Sequence, residues 1–119
     1  MRILNQQKLT LAAGNSNWVQ ASDERLKDVQ GPIENALEQA AQIDTVRFAW
    51  KDDPAAKIHQ GFLAQNIQTV CPDIVSEDAE IGYLGVEYSS VTPLLMACIK
   101  ELTAKVAALE ARFVALEGP

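Results

Sequence analysis

The stretch at residues 92–117 reads TPLLMACIKELTAKVAALEARFVALE and carries the strongest structural pattern in this chain. Its large apolar residues recur at alternating spacings of four and three, which is the 3.5-residue repeat of a coiled coil. The six residues that fill the a and d positions, here called the seam, are Ile99, Leu102, Val106, Leu109, Phe113 and Leu116. The repeat predicts one long helix at about 92–117 whose seam contacts other helices.

Charges beside the seam indicate how such helices pair. Lys105 and Arg112 take g positions, and Glu110 and Glu117 take the following e positions, so opposite charges meet between parallel neighbours. We therefore predict parallel self-association; an amphipathic helix packed against its own domain is the alternative. The number of helices stays open, because β-branched a residues with leucine at d favour two chains, whereas Phe113 needs a wider seam.

The middle of the chain mixes short helices and short strands. Ser22 or Asp23 is suited to cap a short helix, which Gly31 and Pro32 end, and Pro32 begins a second helix. Further on, the pattern predicts a strand at 45–50, an extended piece and a helix at 61–71, and a hairpin of residues 74–76 with 81–88. The predicted fold class is α+β, a small mixed helix and strand unit followed by the long C-terminal helix.

The first 21 residues differ in character from the rest. Leu9 and Leu11 flank Thr10 as in a strand, and residues 14–17, GNSN, form a small polar turn cluster before a second extended piece that ends at Ala21. A strand this short is not stable alone. We expect residues 1–21 to be the end of a larger upstream β-structure and residues 22–119 to be one separate domain.

Composition excludes several classes of protein. The 119 residues carry a net charge of −6 and no cluster of Lys and Arg that would follow a phosphate backbone, which disfavours nucleic-acid binding. Cys71 and Cys98 do not form a CxxC pair, so a metal or redox cofactor has no support. We expect both to be buried apolar residues, and a disulfide is the alternative. Neither a signal peptide nor a membrane-spanning apolar run occurs, so we expect a soluble protein without a membrane partner.

The hexad SDERLK, residues 22–27, carries the candidate chemistry. A serine hydroxyl is a weak nucleophile at neutral pH and needs a nearby base, and a lysine serves as that base only where its surroundings lower its pKa. Lys27 would reach Ser22 by folding back along one helical turn, with Arg25 adding positive charge beside it. Spacing alone favours a capped helix start over a Ser-Lys dyad.

Three motifs in order carry a family resemblance: SDERLK at 22–27, GFLAQ at 61–65 and YSSVTPL at 88–94, followed by the coiled-coil repeat. Over residues 22–117 the chain resembles the intramolecular chaperone auto-processing domain at the C-termini of phage tail spikes and tail fibres, including endosialidases. The resemblance implies a homotrimer that helps an upstream β-fibre of the same chain to fold and is then released by self-cleavage. It also implies assembly in the host cytoplasm and a released fibre on the virion tail.

The resemblance implies where the chain is cut. The cleaved bond would join Ala21 to Ser22, with Ser22 as the nucleophile of a serine peptidase that acts once, in cis, and Lys27 as its general base. No cofactor or metal takes part. The alternatives are a permanent trimerisation module of a fibre protein, which does not cut itself, and an adaptor that recruits a protein partner through the last helix.

Further residues are candidates for the surroundings of this site. Backbone N–H groups of Glu24 and Arg25 are candidate donors to the oxyanion. Asp23 would cap the turn or orient the lysine, with capping favoured. His59 and Gln65 lie in the block around the second motif and are candidate lining residues, although His59 fits a structural role equally well.

Overall fold

The computed structural model describes residues 2–4, 9–11 and 19–118. The chain divides into two units, residues 1–32 and residues 33–119. Within the described residues, none of the helices has the length and apolarity that crossing a membrane requires. The domain boundary predicted between Ala21 and Ser22 stays a prediction.

The first unit contains a three-stranded antiparallel sheet. Strands β1 (Arg2–Leu4), β2 (Leu9–Leu11) and β3 (Val19–Gln20) lie in that order, and Thr10 of β2 stands opposite Ile3 on one side and Val19 on the other. β2 coincides with the strand predicted around Thr10, whereas the turn cluster predicted at 14–17 lies outside the described residues. β3 ends directly before Ala21, so the candidate cleavage bond follows the sheet closely.

The helix predicted after Ser22 is reduced to one 3-10 turn, Glu24–Leu26. Lys27 leaves helical geometry, with φ −118° and ψ 136°, and Gly31 takes φ 137°. Every residue from 22 to 35 is exposed, so no burial offsets the cost of starting a longer helix. The prediction of a helix that extends to Gly31 is therefore wrong.

The second unit mixes short strands and short helices and ends in one long helix. Its elements are α1 (Ala36–Ala40), β4 (Val46–Phe48), β5 (His59–Gly61), α2 (Ala64–Val70), β6 (Val75–Glu77), β7 (Leu84–Val86) and α3 (Thr92–Leu116), with 3-10 turns at Pro72–Ile74 and Tyr88–Val91. β4 pairs antiparallel with β5, and β6 pairs antiparallel with β7. The mixed fold class and the long last helix are confirmed, whereas the three-chain coiled coil remains a prediction.

α1 begins at Ala36 and not at Pro32 as predicted. Asn35, just before it, takes the left-handed region with φ 54°, and the backbone N–H of Ala36 donates to the carboxylate of Glu101 in α3. The first N–H groups of a helix have no acceptor within the helix, so a carboxylate from α3 fixes where α1 starts. This contact outweighs the local start signal of Pro32.

The core of the second unit joins α1 to the first turns of α3. Ala36, Leu94 and Cys98 are buried together. The partly buried residues that pack against them are Leu37, Ala40, Ile43, Cys71 and Ala97. Both cysteines are free thiols, so the disulfide alternative is wrong. Cys98 is buried and Cys71 is half-buried, so the prediction of two buried thiols holds in part.

α3 uses only its first turns against its own unit. Leu94 and Cys98 face the core, while the seam residues range from 50% exposed at Leu102 to 84% exposed at Leu116. Every residue from 102 to 118 is exposed. Among the described residues nothing covers the seam, so the alternative in which this stripe packs against its own domain is wrong.

Candidate active site

Ser22 and Lys27 lie at the two flanks of the 3-10 turn. Ser22 precedes the turn and its capping residue, and Lys27 follows the turn in extended geometry. The Lys27 Nζ donates a hydrogen bond to the Ser22 Oγ over 2.6 Å. Both residues are exposed. The structure therefore brings together the hydroxyl and the amine that the hexad holds five positions apart.

The turn between them is held by hydrogen bonds of its own backbone and its cap. The Leu26 N–H donates to the Asp23 carbonyl over 3.0 Å, and the Lys27 N–H donates to the Glu24 carbonyl over 3.2 Å. Asp23 is the N-cap, because its Oδ1 accepts from the Arg25 N–H at 2.9 Å. Asp23 thus has the capping role that the sequence analysis favoured.

Arg25 is paired with the same capping carboxylate. Its Nε donates to Asp23 Oδ1 at 3.1 Å, and its Nη2 donates to Asp23 Oδ2 at 2.8 Å. These side-chain bonds, and then the backbone bond, hold the pKa of Asp23 below its usual value, and Asp23 raises the pKa of Arg25 in turn. Arg25 is therefore not the unpaired positive charge beside Lys27 that the sequence suggested.

The same contacts limit the candidate oxyanion donors. The backbone N–H of Arg25 already donates to Asp23, so it is engaged in the cap. The N–H of Glu24 has no acceptor among the described residues. Of the two predicted donors, Glu24 is thus the one whose N–H remains available to an oxyanion.

His59 and Gln65 belong to the second unit, whereas Ser22 and Lys27 belong to the first. The His59 ring stacks on Phe48 with ring centroids 5.5 Å apart, and Trp50 lies 6.4 Å from it. Gln65 is an exposed residue in the first turn of α2. These ring contacts are compatible with a structural role for His59, and its role as a lining residue stays a prediction.

Two of the three motifs contact each other in a way that sequence reasoning missed. The Phe62 N–H donates to the Tyr88 hydroxyl at 2.9 Å, and a Cβ added to Gly61 would clash with that hydroxyl. A side chain at position 61 would therefore force Tyr88 to shift. A glycine inside a strand often marks such a close approach, and this signal was present at the end of β5.

Comparisons with known proteins match a stretch that includes the first two motifs. A family model described as "Chaperone of endosialidase" matches residues 22–76, from the hexad to β6, and the name of that family classes it among the peptidases. The long tail fiber proteins Gp37 of Enterobacteria phages K3 and T2 are each 31% identical to this chain over an alignment of 99 positions that covers 78% of the chain. The chain spans only 8% and 7% of the length of these two relatives.

Residues 22–76, which are 55 of the 119 residues, match the chaperone-of-endosialidase family. The resemblance predicted from the sequence is thereby confirmed. The family and the tail-fibre relatives support a tail-fibre chaperone role, while the roles predicted for individual site residues stay predictions.

Proposed function

We propose that this chain is an intramolecular chaperone of a phage tail fibre, which associates as a parallel trimer and separates itself from the preceding β-structure. The observation that carries the cleavage half is the 2.6 Å contact between Lys27 Nζ and Ser22 Oγ, directly after the bond that joins Ala21 to Ser22. The observation that carries the trimer half is the exposed seam of α3.

The cleavage would proceed in two chemical steps. Lys27, in its neutral form, accepts the proton of the Ser22 hydroxyl while Oγ attacks the Ala21 carbonyl through a five-membered ring. The C–N bond then breaks, the proton passes to the released Ser22 amine, and Ala21 is held on Oγ as an ester. Water hydrolyses this ester, which leaves a carboxylate on Ala21 and restores the Ser22 hydroxyl. The Glu24 N–H is the donor available to the oxyanion of the first step.

An exposed site suits such a reaction because the substrate is the chain itself. Covalent attachment places the carbonyl beside the hydroxyl, so no pocket is needed to collect it. A cleft of about 400 Å³ lies elsewhere, beside Gly61 and Tyr88, and includes neither Ser22 nor Lys27. Exposure also gives water access to the ester.

Trimerisation would give the chaperone its effect on the fibre. Three seams that meet in parallel bury apolar side chains that are at least half exposed in the single chain, and opposite charges at e and g set their direction. Joining the chains at one end raises their effective concentration at the other. The slow search for register between non-local β-strands is shortened as a result.

The test is to express the chain behind several upstream β-repeats and to weigh the products over days by intact mass spectrometry. We expect two fragments that meet at Ala21 and Ser22, and none from Ser22→Ala or Lys27→Ala. The exposed residues Ser76 and Lys51 provide matched controls, Ser76→Ala and Lys51→Ala, which should be cut at the wild-type rate.

If wild type stays intact while remaining a trimer, the chain is a permanent trimerisation module. If Ser22→Ala or Lys27→Ala is cut as fast as wild type, the dyad is wrong.

A further inference from the structure

The turn that carries the candidate dyad lacks any support from burial. Leu26, the apolar residue of the turn, is 58% exposed, and every residue from 22 to 35 is exposed. A single 3-10 turn is marginal by itself. The distance between the groups at its two flanks therefore depends on whatever hydrogen bonds keep the turn closed.

Asp23 and Arg25 together supply three of the five hydrogen bonds within the turn, one through the backbone cap and two through their ion pair. Arg25 directs three donors, its backbone N–H, Nε and Nη2, onto the two carboxylate oxygens of Asp23 at 2.8–3.1 Å. The side-chain pair has the two-pronged geometry that favours a planar guanidinium over an ammonium. It closes a ring over residues 23–25, which are three of the four residues that separate Ser22 from Lys27.

We propose that Asp23 and Arg25 are positioning residues that clamp this turn and so hold the Lys27 amine on the Ser22 hydroxyl. The inference rests on the proposed self-cleavage. Neither residue touches the reacting atoms; the pair raises the fraction of chains in which the dyad is assembled. Because the reaction occurs once and within the chain, its rate is proportional to that fraction.

A different role for Arg25, supplying positive charge next to the lysine, predicts different kinetics. Arg25→Lys keeps the positive charge but loses the two-pronged contact of the guanidinium with the Asp23 carboxylate. Asp23→Asn keeps a side-chain oxygen that can cap the turn but loses the ion pair. The clamp predicts that each variant cleaves about two- to five-fold more slowly than wild type. A charge role predicts that Arg25→Lys cleaves like wild type and that Asp23→Asn does not slow cleavage.

The first test measures cleavage rates for both single variants, for the double variant Asp23→Asn/Arg25→Lys and for wild type. Residues that act through one shared contact are not additive, so the double variant should be no slower than the slower single variant. High salt screens an exposed ion pair, so the ratio of wild-type to Asp23→Asn rates should approach one in about 1 M salt. A wild-type rate for Arg25→Lys, or a double variant slowed by the product of the two single effects, overturns the clamp.

The second test does not need cleavage. In a Ser22→Ala background, amide hydrogen exchange at Leu26 and Lys27 reports the two backbone bonds of the turn. Adding Asp23→Asn or Arg25→Lys should speed exchange at both amides by the same two- to five-fold factor. Unchanged exchange overturns the clamp even where cleavage occurs. If no chain is cut but exchange responds, the clamp stands as a feature of the turn and the proposed self-cleavage fails.

Discussion

The proposed trimer makes a quantitative prediction for two valines on α3 that differ mainly in heptad position. Val106 is a seam residue at position a, whereas Val114 lies at position b, one residue past Phe113. In the single chain both are largely exposed, at 51% and 67% respectively. Exposure alone does not distinguish them, so Val114→Ala is a matched control for Val106→Ala.

The magnitude follows from the area that association would bury. Removing two methyl groups from a fully buried site costs about 1.6 kcal/mol. Since Val106 is 51% exposed before association, about half of that, roughly 0.8 kcal/mol, would be lost in each chain. Three chains and the small cavities left at the seam bring the loss to about 3 kcal/mol per trimer. At about 1.4 kcal/mol per factor of ten, the association constant falls about 100-fold.

The assay is sedimentation equilibrium of Ser22→Ala chains, which stay covalently intact, over a series of micromolar concentrations. For a monomer–trimer equilibrium the midpoint concentration varies as the square root of the dissociation constant, so Val106→Ala should raise it roughly tenfold. Val114→Ala should leave the midpoint concentration unchanged. Both substitutions raise the helix propensity equally, so a difference between the two variants does not come from helix propensity. Equal shifts for the two variants, or a wild-type mass equal to the 13.0 kDa of one chain, would refute a seam at these positions.

Three further predictions concern single contacts. Glu101→Gln should lower the free energy of unfolding by about 1 kcal/mol in urea, because it weakens the cap of α1, whereas Glu80→Gln should not change it. Gly61→Ala should cost about 1–3 kcal/mol, and less in a Tyr88→Phe background, because that variant lacks the hydroxyl that the new Cβ would meet. The pKa of Asp23 is lowered in the folded chain, so its contribution is complete above the usual pKa of 3.8 and is lost as pH falls through the lower folded value. An NMR titration of this carboxyl should therefore give a midpoint below 3.8.

The parts of the fold that the sequence predicts well are those set by local pattern. The heptad repeat predicts a helix at 92–117, and α3 spans Thr92–Leu116. The start of α1 was missed because its acceptor, Glu101, lies 65 residues further along the chain. The contact between Phe62 and Tyr88 spans 26 residues and was missed for the same reason.

In the candidate site too, the sequence predicts one contact and misses another. Ser22 and Lys27 are five positions apart, so one turn is enough to bring them together and spacing alone suggests the pair. The sequence does not predict the contact of the Arg25 side chain, because Asp23 and Lys27 both lie two positions from it. Only the geometry of the turn shows that the guanidinium closes on Asp23.

A weak, exposed turn is physically suited to a reaction that each chain performs once. A buried dyad would need a folded pocket before the first cut, and that pocket would keep the products together by the contacts that formed it. In the proposed cleavage the hydroxyl and the amine meet through one 2.6 Å contact on an exposed turn, so the site needs no buried pocket to assemble. A cut between Ala21 and Ser22 would leave all residues of the core around Leu94 and Cys98 on one fragment. We therefore expect the proposed reaction to depend little on the stability of that core.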